Sequence, residues 1–160
     1  MKTHGIERKA EWVSFRKLED FFMEKEQRKM KPFREGLFTI PSSLSEKPHL
    51  IGSRCRNCQE VMFPSRPTCL NCFGKNLEQV ALSSRGRLFT FTINHQGAKE
   101  FSPPYASGYI DLPEGVRIYS LLTDWETKGL KIGAEMELVI EKIKEDNEGN
   151  VVLGYKFRPL

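Results

Sequence analysis

Four cysteines, arranged as two C-x-x-C pairs, constrain this chain more than any other feature. Cys55-Arg56-Asn57-Cys58 is followed ten residues on by Cys69-Leu70-Asn71-Cys72, and the sequence holds no other cysteine. A turn with thiolates at positions i and i+3 clasps one side of a metal ion, and two such clasps complete a tetrahedron of sulfur ligands. Zinc is the default ion for this set, and a single iron takes the same four ligands. Buried structural thiols, a disulfide framework and a redox pair are the alternatives. Disulfide frameworks belong to small secreted domains, and the N-terminus MKTHGIERKAEWVSF lacks the apolar core of a signal peptide, so a reducing cytoplasmic setting is expected. A thioredoxin-like pair needs one C-x-x-C in a βαβ context, which this pattern does not supply.

The metal reading fits a chain of modest size. At 160 residues, 39% of them apolar and 11% aromatic, it can bury the core of one ordinary domain or two small ones. No apolar run approaches membrane-spanning length, so a soluble protein with no membrane association is expected. The net charge of +4 is unevenly placed. Residues 1–35 hold ten Lys/Arg against seven Asp/Glu, residues 36–77 five against two, and residues 78–160 ten against twelve. The basic excess therefore lies in the N-terminal arm and around the cysteines.

Residues 7–31 predict an amphipathic helix. Trp12, Phe15, Leu18 and Phe22 recur at spacings of three and four, and Pro32 ends the pattern. Its apolar face is expected to pack on the chain's own core or to dock on another subunit. Residues 32–48 carry three prolines and a Ser-rich patch, which predicts an extended linker across the surface. The first knuckle is expected between short strands at residues 49–54 and 59–64, with Pro64 and Pro67 stopping the pairing before the second. Two such hairpins around one ion form a zinc ribbon, too small to fold on hydrophobic burial alone. With four thiolates available, His49 is read as a surface residue rather than a ligand. Arg54, Arg56 and Arg66 are read as a solvated face offsetting an anionic cluster.

Beyond Leu77 the pattern changes to period two. Strands are predicted at residues 87–93, 105–111, 116–123, 135–144 and 151–157, with Gly86, Gly115, Gly133 and Gly149 marking turns. Five short strands with no helical pattern between them point to a small barrel, of which the OB-fold is the most economical form. Phe89, Phe91 and Ile93 alternate with threonines, and most of Phe89, Phe91, Tyr105, Tyr109 and Tyr119 are assigned to the core. The expected organisation is a helical arm and linker over residues 1–48, a zinc ribbon over 49–77 and an OB-fold over 78–160. The fold class is mainly β.

The missing chemistry narrows function. There is no G-x-S-x-G, P-loop, G-x-G-x-x-G or H-E-x-x-H. If both knuckles hold metal, no cysteine remains as a nucleophile, and His4, His49 and His95 lie in three separate segments. A four-thiolate ion is coordinatively closed and cannot activate water. A ribbon with an OB-fold also serves nucleic-acid binding, yet an OB groove that follows phosphates should be basic, whereas residues 78–160 are net acidic. A rubredoxin-like electron carrier is a third class, which colour would reveal.

Several of these motifs resemble those of a known family. Residues 50–58, the Phe63-Pro64-Ser65-Arg66 step, Cys69-x-x-Cys72, residues 86–93, Pro103-Pro104-Tyr105-Ala106, residues 112–117 and the terminal Phe157-Arg158-Pro159 resemble the DUF35 family. The resemblance covers roughly residues 10–160. Knuckles of that family often read C-x-x-C-G and C-P-x-C; here Gln59 follows Cys58, Leu70 replaces the proline, and Gly74 comes one place late. The resemblance implies an OB-fold with a rubredoxin-like zinc ribbon, structural Zn2+ on Cys55, Cys58, Cys69 and Cys72, and a non-catalytic role beside a thiolase-fold enzyme. Family partners include archaeal acetoacetyl-CoA thiolases, thiolase-like aldolases of steroid side-chain degradation, and a thiolase acting on a benzoylsuccinyl-type CoA thioester. The catalytic residues would then lie on the partner, which would also bind most of the acyl-CoA. Pro103, Pro104, Tyr105 and Arg117 are the candidates here for a CoA-facing surface. Stiffening of a loop by the prolines, and pairing of Arg117 on the barrel surface, are the structural alternatives.

Overall fold

The computed structural model describes residues 30–43, 46–97 and 103–160. The predicted helix lies outside them up to residue 29. Its last two positions are strand instead: β1 (Met30–Pro32) runs parallel to β9 (Val151–Pro159), Met30 opposite Val151. Lys31 precedes a proline, which disfavours the helical conformation there and supports extended backbone. Among the described residues no helix is long and apolar enough to cross a membrane.

The barrel follows the period-two pattern closely. β5 (Arg85–Asn94), β6 (Tyr105–Asp111) and β7 (Arg117–Leu122) form an antiparallel meander. β8 (Glu135–Glu145) pairs with both β5 and β9, and β7 pairs parallel with β9 at Leu121–Lys156 and Leu122–Phe157. The ladder β5-β6-β7-β9-β8 thereby returns to β5, giving the closed five-stranded barrel of an OB-fold. Between β7 and β8 lies a single helical turn, α1 (Trp125–Lys128), where the sequence offered no helical period. Four residues are too few to show one.

A bulge in β5 corrects the expected core. Leu88 faces Ile110 and Thr90 faces Tyr109, so Phe89 is the extra residue and the alternation slips by one place. Phe91 packs against the core, but Phe89 is turned to the outside, 47% exposed. Tyr109 and Tyr119 also stand on the outer face, at 43% and 55% exposure, with ring centroids 5.2 Å apart. Gly108 accommodates the bulge, since a Cβ there would sit 2.4 Å from the Thr90 carbonyl oxygen. Gly86, expected in a turn, lies within β5.

The ribbon is a three-stranded sheet in which β2 (Ile51–Cys55) is central, with β3 (Val61–Met62) on one side and β4 (Leu77–Ala81) on the other. Its third strand runs past residue 77, where the sequence reading ends the ribbon. Nor is the preceding linker a surface strap. Leu37 and Phe38 are buried, and Phe38 pairs with Leu50. Leu50 and Leu82, joined by a 2.9 Å backbone bond, enter the same buried cluster as Leu88, Ile110, Ile118 and Phe157 of the barrel. Phe63 from the ribbon packs edge-on against Tyr155 of β9, centroids 5.8 Å apart. Ribbon and barrel therefore share one core.

Candidate metal centre

The two knuckles are built alike. Each leaves its second cysteine through a residue in the left-handed region, Gln59 (φ 63°) and Phe73 (φ 58°). The N–H of Gln59 donates to the Cys55 carbonyl at 2.8 Å, and that of Phe73 to the Cys69 carbonyl at 3.1 Å. These tight turns point both thiols of each pair inward. Gly74 then lets the knuckles meet, because a Cβ there would lie 2.7 Å from Asn57 Nδ2 and 3.3 Å from Cys72 Sγ. The late glycine thus serves packing between knuckles rather than a positive φ.

All four sulfurs lie within 4.8 Å of one another, with Cys55–Cys72 and Cys58–Cys69 each at 3.5 Å. Zn–S bonds of about 2.3 Å place the sulfurs of a tetrahedron about 3.8 Å apart, so the cluster fits one such ion. Cys55 and Cys69 are buried, and none of the four is in a disulfide. The electrostatics agree with that donor set. The Cys58 backbone N–H leads the groups that draw the Cys55 thiol down to about 7. The Gly74 N–H favours the Cys72 thiolate, yet the sulfurs of Cys55, Cys58 and Cys69 push it up to about 12. Four thiolates this close repel one another, and a divalent cation in place of their protons removes the conflict.

His49 is not in the cluster; its Nδ1 lies 3.2 Å from Thr39 Oγ1. Arg56 pairs with Glu78 at 3.0 Å on the exposed rim, and Arg66 is exposed. The four residues considered for CoA are not brought together. Pro103 and Pro104 are exposed at the start of β6, beside Tyr105. Arg117 stands opposite Asp111 at the other end of that strand, roughly 20 Å away at ordinary strand rise. There it holds Asp111 through two bonds, 2.6 and 3.0 Å, and covers the Phe89 ring with its guanidinium carbon 3.3 Å from the centroid. That pairing holds the Asp111 carboxyl below its ordinary range. A separate groove of about 610 Å³, bordered by Phe33, Tyr119, Ile143 and Tyr155, shares no residue with the cysteine cluster. Sequence reasoning passed over Phe73, although the lack of a glycine directly after Cys72 marked it.

Comparison with known proteins places these features. Residues 46–78 match the family described as "ChsH2, rubredoxin-like zinc ribbon domain", and residues 79–141 match "ChsH2, C-terminal OB-fold domain". A "DUF35 domain-containing scaffold protein" of Methanocaldococcus jannaschii is 39% identical over 121 residues, 73% of this chain and 86% of that protein. "Benzoylsuccinyl-CoA thiolase subunit BbsA" of Thauera aromatica is 34% identical over 128 residues, 80% of this chain and 88% of that one. Among solved structures, a chain of "Ltp2-ChsH2(DUF35) aldolase" shares the fold at 24% identity, with a TM-score of 0.58, covering 69% of this chain and 84% of that chain.

Proposed function

The chain belongs to the DUF35 family, and on that premise we propose that it is a non-catalytic, zinc-binding accessory subunit of a hetero-oligomeric thiolase-type enzyme. The observation that carries this reading is the closed sulfur cluster. Four thiolates converge on one point and leave no free position for substrate, and they use every cysteine in the chain. What remains is a structural clasp, and the chemistry falls to a partner. Similarity to a benzoylsuccinyl-CoA thiolase subunit supports a thiolase as that partner. Cleavage of an aromatic, benzoylsuccinyl-type or related acyl-CoA is the finer assignment.

In this reading residues 49–77 hold the metal, residues 78–160 support the acyl-CoA entrance, and residues 1–48 contribute to assembly. Pro103, Pro104 and Tyr105 form one CoA-facing contact and Arg117 a separate one at the far end of β6. Reconstitution tests the proposal. The partner subunit purified alone should show little thiolytic cleavage of acyl-CoA, and adding this chain should restore it. Full activity of the partner alone, unchanged by this chain, would contradict the reading.

A second reading, a single-stranded nucleic-acid module, draws on the outward-facing Phe89, Tyr109 and Tyr119, since exposed rings on an OB sheet can stack bases. The net acidic charge of residues 78–160 and the engagement of Arg117 by Asp111 weigh against it. Salt-dependent retention of single-stranded DNA at micromolar protein would favour this reading over the first.

A further inference from the structure

The left-handed position after each knuckle is one that glycine occupies freely and that strains a residue with a Cβ. Gln59 offsets part of that strain, because its side-chain amide donates to the Arg56 carbonyl at 3.2 Å. Phe73 has no polar atom with which to do the same. Its ring is 76% exposed, and Leu70, three positions earlier on the same turn, is 61% exposed. Neither belongs to the buried cluster of the ribbon, which gathers Cys55, Met62 and Cys69 with Cys58 and Leu77 packed against it. The second knuckle thus bears backbone strain and an exposed apolar tip together. Observed strain of this kind points to function.

The surroundings of the tip indicate what it meets. Arg66 and Lys75 are exposed on either side in sequence, with no ion pair among the described residues. Residues 36–77 hold five basic side chains against two acidic ones. An apolar tip flanked in sequence by two exposed cations complements an apolar pocket rimmed by carboxylates, with the tip supplying the buried contact and the cations the orientation.

We propose that Leu70 and Phe73 at the tip of the second knuckle form a docking element of this chain, seated in an apolar, acid-rimmed pocket of the thiolase-fold subunit. The inference rests on the accessory-subunit reading and assigns it a contact. The metal site then has a second purpose: it makes rigid the turn that presents Phe73, so that little conformational freedom is lost on binding.

The test uses the full-length tagged chain and the thiolase-fold subunit that co-purifies with it, their affinity measured by calorimetric titration. Phe73→Gly suits the left-handed position, so the variant should keep stoichiometric zinc and melt at the same temperature or higher. Its affinity should fall roughly tenfold or more, as for a central interface residue. Leu70→Ser should act in the same direction, Lys75→Glu should weaken binding further, and Tyr119→Ser on the barrel face should leave it unchanged. Wild-type affinity in Phe73→Gly overturns the inference while leaving the accessory-subunit reading intact. A lower melting temperature of free Phe73→Gly with unaltered partner affinity also overturns it, because the ring is then covered by this chain's own residues. A wild-type chain that captures no thiolase-fold polypeptide overturns both readings.

Discussion

Glu114 Oε1 accepts two hydrogen bonds from Ser83, one from its backbone N–H and one from its hydroxyl, both at 2.7 Å. Glu114 sits in the turn between β6 and β7, and Ser83 in the three-residue passage between the last ribbon strand and the barrel. One carboxylate therefore fixes the direction in which the chain leaves the ribbon. Glu114→Ala should lower stability by about 1–3 kcal/mol, the usual result of stranding partly buried donors that a charged group had satisfied. A denaturant midpoint equal to the wild type would contradict this role.

Leu50 tests whether ribbon and barrel are one folding unit. It is fully buried in the cluster that also holds Phe157 and Ile118, although it directly precedes the central ribbon strand. Leu50→Ala should cost about 2–5 kcal/mol, and the loss should appear in a single transition by both far-ultraviolet circular dichroism and tyrosine fluorescence. Two separate transitions would show that the shared core does not couple the parts.

Legibility in the sequence varied from element to element. The barrel strands were legible because alternation over five to ten residues survives local irregularity, and the cysteine spacing announced the knuckles directly. The bulge at Phe89 was not legible: one extra residue reverses the facing of every later side chain, and no residue in the run Leu88–Thr90 signals where the slip occurs. Leu37 and Phe38 were hidden by their neighbours, since prolines and serines mark a loop in sequence whether it crosses a surface or dips into a core. β4 escaped for a related reason. Leu77–Ala81 reads as the start of the barrel pattern, and only its pairing with β2 assigns it to the ribbon. The cysteine cluster was legible as a set, while the exposure of Leu70 and Phe73 depends on three-dimensional packing.

Acid should loosen the edge of the barrel through Asp146. Lys31 is the main cause that holds this carboxyl well below the usual range, helped by the Asn150 side chain and by the N–H groups of Asn150 and Glu148. A depressed carboxyl contributes its stability above the ordinary pKa of about 3.9 and loses it as pH falls through the folded value. Lys31, raised by the same partner, keeps its contribution up to its ordinary value of 10.5 and loses it only above. The difference in melting temperature between wild type and Asp146→Asn should be constant across the neutral range and shrink below about pH 4. A difference independent of pH down to strongly acid solution would contradict the assignment.

Cys69 is buried within the four-sulfur cluster. Cys69→Ser removes one thiolate from a site whose binding energy in zinc-finger peptides is on the order of 10 kcal/mol. The variant should lose most of its zinc by elemental analysis and unfold at a much lower temperature, and chelator treatment of the wild type should reproduce the effect. Full zinc content together with an unshifted melt would mean that the cluster is not a structural metal site.

The most direct test of the whole account is native mass spectrometry of the complex recovered on the full-length chain from its source cell. The account predicts an assembly containing a thiolase-fold polypeptide, with one zinc ion for each copy of this chain. Recovery of the chain alone, or with nucleic acid and no thiolase-fold polypeptide, would contradict it.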